Sequence, residues 1–239
     1  MLDAAGLERG VLVQPAHYGE DHSCLFNALR QGNGKLRGIG LATAKTPRRA
    51  LDEMQAAGVC GLRFTEMRNP NGSVRAGSVG AEDLRLLAGE LKARGWQAHL
   101  WATPPDLDAL LPSVIGLGIP IVVDHMAMVD VRSGVNDPTF LRLLELVRVG
   151  AIWVKLTVCR VSNATPDYAD VRPFHDALVA ANPERLLWGS DWPFIRLFDR
   201  APDVGRLLDL FHDWVPDGDL RRTILVDNPL RLFGFASAR

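Results

Sequence analysis

Cysteine is scarce in this chain. Of 239 residues only Cys24, Cys60 and Cys159 are cysteines, an odd number set far apart in apolar or helical surroundings. That excludes a disulfide framework or a cysteine-based zinc cluster and predicts reduced thiols in a cytoplasmic protein. No apolar run approaches the roughly 20 residues that cross a bilayer, so no membrane span is expected. Asp3, Glu8 and Arg9 interrupt the opening residues, which argues against a charged-then-apolar secretion signal. Charge of one sign is missing too: 27 Lys and Arg against 28 Asp and Glu leave a net charge of −1. Without a block of like charge, neither nucleic acid nor an anionic membrane is an expected partner. No Gly-x-Gly-x-x-Gly or phosphate-loop pattern follows a strand-like run, which argues against the doubly wound nucleotide binders.

What the chain does have is apolar residues, 47% of the total, enough for a substantial core. They recur in seven strand-like runs, at 11–14, 36–41, 60–64, 97–101, 120–124, 152–157 and 185–188. The runs are near-continuous rather than alternating, the pattern of strands buried on both faces of a parallel sheet. Helical segments lie between them. Thr46-Pro47 and Asp137-Pro138 each set a capping oxygen before a proline, and Gly58 and Gly150 stop the helices that follow. Between Glu82 and Gly95, Leu84, Leu87, Ala88 and Leu91 share one face. Strict alternation without linker, repeat or low-complexity segment predicts a single α/β domain over 1–239. Polar residues fall just past several different strand ends, namely Gln14, Arg63, His125, Arg160 and Asp191. A (β/α) barrel gathers such residues around one mouth, so a barrel is expected over an open sheet.

The run Leu-Leu-Trp-Gly-Ser-Asp-Trp-Pro at 186–193 delivers Asp191 past a short apolar strand. An aspartate there is ionised at neutral pH and can take a proton from water. Trp192 beside it either excludes water from the carboxylate or packs the end of the fold. His125, in Val-Val-Asp-His-Met, can bind a metal, polarise a carbonyl or relay a proton. Arg63, a permanent cation in a strand made for burial, needs an anionic partner, either a protein carboxylate such as Glu66 or one on a substrate. Arg160 opens a polar loop, and Lys155 inside the preceding strand reaches either the site or a structural ion pair. His17 and His22 match no compact ligand spacing and are expected at the surface. His99 is left undecided by strand parity, His175 and His212 are expected to be structural or exposed, and Asn228 before Pro229 is expected to start a helix.

Taken together, the motifs at 122–126, 187–193 and Asp-Asn-Pro-Leu-Arg-Leu-Phe at 227–233 resemble the amidohydrolase-related family, and within it the branch of 2-pyrone-4,6-dicarboxylate lactonase. The resemblance implies a (β/α)8 TIM barrel and hydrolysis at a polarised carbonyl. It implies that Asp191 activates water, that His125 is catalytic, and that Arg63 and Arg160 bind carboxylates; Gln14 is a further candidate for substrate binding. It also implies that no divalent metal or other cofactor is required, although metals occur in relatives. Family members open with a strand ending in His-x-His, and this chain contains no such triplet. The count of seven strands agrees with a barrel lacking its first. The expectation is a sequence that begins at an internal Met; a second chain filling the gap and closure around seven strands are the alternatives. Open edges would then favour aggregation or a homo-oligomer.

The expected function is a hydrolase of small carboxylated lactones, esters or amides. The alternatives are a metal-dependent hydrolase or decarboxylase relative and, from another class, a truncated non-catalytic remnant.

Overall fold

A computed structural model describes residues 2–67, 71, 73 and 76–235. Seven parallel strands alternate with helices through them, and the chain divides into two compact units, one built from residues 7–122 and one from 123 onward.

The first unit carries β1 (Gly10–Val13), α1 (Ser23–Gln31), β2 (Leu36–Gly40), α2 (Arg48–Ala57), β3 (Val59–Thr65), α3 (Ala81–Arg94), β4 (Gln97–Trp101), α4 (Pro104–Ile115) and most of β5 (Ile121–Val123). Its strands lie side by side in chain order. Ile39, Leu62, Ala98, Leu100, Ile121 and Val122 are sealed from solvent, as near-continuous apolar runs require of strands covered on both faces. In α3, Leu84, Leu87 and Leu91 are buried as their spacing predicts, each contributing about 1.5–3 kcal/mol by leaving water. The Glu66 carboxylate accepts the Ala81 N–H at 2.5 Å, placing negative charge at the positive end of that helix. Gly58 ends α2 with φ 100°, where a side chain would be strained.

Two expectations change here. Thr46 does not cap α2: Pro47 is the N-cap, and the Thr46 hydroxyl accepts the Thr43 N–H instead. His22 is not at the surface. Its ring is buried, stacks on Phe26 at 5.6 Å and accepts the Leu41 N–H through Nε2 at 3.1 Å. His17 does lie exposed, in a short 3-10 turn.

The second unit continues with the end of β5, α5 (Pro138–Arg148), β6 (Trp153–Leu156), α6 (Val158–Val161), α7 (Arg172–Ala181), β7 (Leu186–Trp188), α8 (Val204–Trp214), α9 (Gly218–Arg222) and α10 (Asn228–Phe233). Asp137 caps α5 as its sequence predicts, accepting the Thr139 and Phe140 N–H groups at 2.9 and 3.1 Å, and Gly150 turns the chain after it with φ 75°. Asn228 opens α10 as expected, but not as its cap. A π-turn over Thr223–Asp227 runs straight into α10, so the amide caps nothing. It is buried, and Nδ2 donates to Leu186 O at 2.7 Å and Pro183 O at 2.8 Å, fixing the backbone that enters β7. His175 is sealed between Phe211 and Trp214 and lines a small cavity with Trp188, Gly189 and Leu207.

Asn228→Ala would strand the buried Leu186 carbonyl, at roughly 1–3 kcal/mol, and the part-buried Pro183 carbonyl at less. Urea melts should show a loss of roughly 2–4 kcal/mol, and an unchanged midpoint would remove Asn228 from the account of β7. Burial pushes the His22 and His175 imidazoles below the ordinary 6.5. Each ring therefore binds a proton less readily folded than unfolded. Its contribution to stability is complete above pH 6.5 and is lost as pH falls from there towards its lowered value. Thermal midpoints should drop on acidification from about pH 7.5 to about 5.5, by less in His175→Phe; an equal drop in that variant would contradict neutral burial.

Candidate active site

The chain leaves β5 through an unusual turn. Asp124 is buried and extended, and then His125, Met126, Ala127 and Met128 take φ values of 51°, 50°, 58° and 53° in succession. A left-handed turn costs an L-residue roughly 1–2 kcal/mol per position. Four positions together cost roughly 4–8 kcal/mol, comparable with the whole stability of a domain at about 5–15 kcal/mol. Surrounding structure has to enforce such a conformation. Met126, Ala127 and Val129 are buried beneath the turn, and the Ala127 N–H donates to Asp124 O at 3.0 Å. From the β6 side, Lys155 Nζ reaches the Asp124 carboxylate at 2.6 Å. The turn presents the His125 ring, itself largely buried.

Past β7, Gly189 and Ser190 shape the turn that delivers Asp191. A Cβ on Gly189 would stand 2.9 Å from the Thr157 hydroxyl, so only glycine lets the strands keep this approach. Ser190 accepts the Trp192 N–H on its hydroxyl, and its carbonyl faces Cys159 Sγ at 3.5 Å. Asp191 itself sits at φ 62°. Trp192 keeps half of its surface exposed.

Arg160, expected in a loop, lies in the one-turn helix α6. Its Nε donates to Asp191 Oδ2 at 2.7 Å, its Nη2 donates to the same oxygen, and Nη1 donates to Ile195 O at 2.9 Å. A guanidinium has five N–H donors, so two remain. The other carboxylate oxygen, Oδ1, stands 4.0 Å from His125 Nε2. That is too long for a direct hydrogen bond and lets each group meet a ligand oxygen of its own. Side chains of His125, Arg160 and Asp191 keep 10%, 16% and 20% of their surface exposed, which leaves the cluster reachable.

The sequence candidates thus divide between the units. His125, Arg160 and Asp191 come together in the second. Arg63 and Gln14 lie in the first. Gln14 is buried, and its Nε2 donates to Gly19 O at 3.1 Å and Asp21 O at 2.7 Å, so both amide hydrogens hold a loop and only the carbonyl oxygen remains for a substrate. Arg63 spreads its guanidinium over the Trp101 ring at 4.7 Å, a cation–π contact. The pairing Arg63↔His99 and Thr65↔Trp101 between β3 and β4 puts these four residues on one sheet face and resolves the parity of His99, which is completely buried. Sequence reasoning missed the Lys155–Asp124 pairing as a feature of the site and the left-handed turn altogether. The only signal for either was a lysine inside an apolar strand.

Among the described residues no group of three or more His, Cys, Asp and Glu side chains is arranged to hold a metal ion. One oxygen of Asp191 is taken by a guanidinium.

Comparisons with known proteins identify the family. The family model described as Amidohydrolase matches residues 1–235. The chain belongs to the amidohydrolase family. It is 37% identical over 237 residues to the 4-sulfomuconolactone hydrolase of Rhizobium radiobacter, a match covering 98% of this chain and 78% of that protein. It is 32% identical over 243 residues to the 2-pyrone-4,6-dicarboxylate hydrolase of Comamonas testosteroni, with the same two coverages, 98% and 78%. A crystal structure from Pseudomonas putida, provisionally named a 2-pyrone-4,6-dicarboxylic acid hydrolase, superposes with a TM-score of 0.84 at 31% identity, covering 99% of this chain and 86% of that one. The chain is therefore an enzyme of the amidohydrolase family with the α/β, barrel-type fold class expected from its strands. No helix among the described residues is long and apolar enough to cross a membrane.

Cys159, next to the cluster, is no nucleophile. Burial, with Asp191 adding to it, pushes its thiol up to about 12, so at pH 8 only about one molecule in 10⁴ carries the reactive thiolate. A disulfide reagent applied to the native protein at about pH 8 should modify the exposed Cys24 rapidly and Cys159 only after unfolding. Rapid labelling mapped to Cys159 would overturn this assignment.

Proposed function

We propose that this amidohydrolase hydrolyses a small lactone bearing carboxylate or comparable anionic groups, with Asp191 as general base. The observation that carries the reading is the placing of Asp191 Oδ1 and His125 Nε2 4.0 Å apart while Arg160 holds the other carboxylate oxygen. Water bonded to Oδ1 loses a proton to it as its oxygen attacks the lactone carbonyl carbon. His125 donates through Nε2 to the carbonyl oxygen, where negative charge develops. The ring C–O bond then breaks, and the proton held by Asp191 passes to the departing oxygen. Proton count and charge close without any further reactant.

Arg160 suits a second task. Its two uncommitted N–H donors are what a substrate carboxylate accepts. Arg63 is proposed as another anchor, a permanent cation whose guanidinium lies over the Trp101 ring and suits an anionic group. The names of the two relatives, a sulfomuconolactone hydrolase and a pyrone dicarboxylate hydrolase, support an anionic lactone as the substrate class. The chemistry proposed needs no metal: Arg160 supplies the positive charge beside Asp191 and His125 the donor for the carbonyl oxygen. A cytoplasmic setting suits the three free cysteines.

Hydrolysis of 2-pyrone-4,6-dicarboxylate and 4-sulfomuconolactone by the purified chain tests the reading. Asp191→Asn should lower kcat by about 10²–10⁴-fold, and equal turnover by wild type and variant would remove Asp191 from the mechanism. Arg63→Met should raise KM by roughly 10- to 100-fold, the loss of a charge-assisted hydrogen-bonded contact. Stoichiometric zinc or manganese surviving dialysis would refute the metal-free chemistry.

A further inference from the structure

The ion pair between Lys155 and Asp124 lies outside the cluster that meets the substrate, and its placing gives it a task. Asp124 is the residue before the left-handed turn, its carboxylate side chain is 1% exposed, and Lys155 on β6 meets it at 2.6 Å with 14% of its own side chain exposed. A carboxylate so deeply buried is stable only with a cation beside it. The turn it begins is unfavourable at four successive residues, His125 to Met128, so the turn persists only where both of its ends are held. The far end is held by apolar burial of Met126, Ala127 and Val129. The near end has the Ala127 N–H on the Asp124 carbonyl, at 3.0 Å, and the lysine on the Asp124 side chain. Asp191 is fixed independently by Arg160.

We infer that Lys155 and Asp124 form a positioning pair that locks the left-handed turn and so sets the place of the His125 ring opposite Asp191. The pair touches no substrate; it acts through His125. The proposal rests on the reading of His125 as carbonyl polariser, and the two fail separately.

Lys155→Met alone leaves an isolated buried carboxylate and is prone not to fold. The double variant Lys155→Met with Asp124→Asn removes both charges at similar volume. With 2-pyrone-4,6-dicarboxylate as probe, the folded double variant should lose roughly 10- to 100-fold in kcat with KM within about threefold, the signature of a displaced group rather than lost binding. Lys155→Arg, which keeps the cation, should retain kcat within about threefold of wild type. A folded double variant with wild-type kcat overturns the proposal, whereas a harmless His125→Asn overturns the underlying reading instead. A second measurement needs no turnover: in histidine-labelled protein, the His125 ring resonances, assigned by their absence in His125→Asn, should move in the double variant while those of His22 and His175 stay in place. Unmoved His125 resonances in the folded double variant also overturn the positioning role.

Discussion

The contact between Arg160 and Asp191 is the constraint on which the rest of the site depends. Two charges with most of their surface buried are each costly alone and tolerable together. The strand-following segments that carry them, α6 after β6 and the turn after β7, are thereby tied to each other. The tie is directional. Both Nε and Nη2 engage Oδ2, so the carboxylate cannot rotate freely and Oδ1 is left facing His125. The third used donor, on Nη1, holds the Ile195 carbonyl and with it the segment after Trp192. One guanidinium therefore fixes the orientation of the proposed base, the path of the chain beyond it, and the pair of N–H groups that remain for a ligand.

Backbone strain in the second unit is concentrated around this cluster. Positive φ values occur at residues 125–128 and again at Asp191, Phe194, Arg196 and Phe198. Regular strands end by feeding helices, and a chain leaving β5 or β7 along the easy route would carry its polar side chain elsewhere. Left-handed residues turn it sharply and bring the functional atoms back over the strand ends. The cost is met locally: Met126 and Ala127 are buried under the first turn, Phe194 and Leu197 under the second. Packing energy from apolar neighbours is thus converted into the placement of a histidine and an aspartate.

The strands were legible because burial on both faces leaves a continuous apolar run, and all seven runs correspond to strands within a residue or two at their ends. Asp191, His125 and Arg160 were legible as residues because polar groups at strand ends have few other reasons to be there. Their mutual geometry was not. Nothing in Val-Asp-His-Met-Ala-Met betrays four left-handed residues, since none is glycine and the conformation is imposed by neighbours distant in sequence. Asn228 was legible as a helix start and not as a tertiary contact. Asn-Pro is a local capping signal, but a buried amide that meets two carbonyls some 42 and 45 residues away obeys tertiary demands. Gln14 and Thr46 were read from local position and are likewise engaged by loop backbone.

Two aspartates at strand ends of one unit show how environment assigns chemistry to a side chain. Asp124 and Asp191 each have a cationic partner from the β6 segment, Lys155 and Arg160. The ammonium of Lys155 is a compact point charge, and against a carboxylate with almost no exposure it completes a closed pair, suited to holding backbone and unsuited to exchanging protons with a ligand. The planar guanidinium of Arg160 takes only one oxygen of Asp191, with hydrogens to spare, and a fifth of that side chain stays open. The difference in partner and exposure makes one aspartate a fixture and sets an oxygen of the other 4.0 Å from an imidazole nitrogen. Exchanging the two cations would not preserve these roles: a lysine at position 160 would bind Asp191 without the rigid fork that aims Oδ1, and the aspartate would keep its charge and lose its direction.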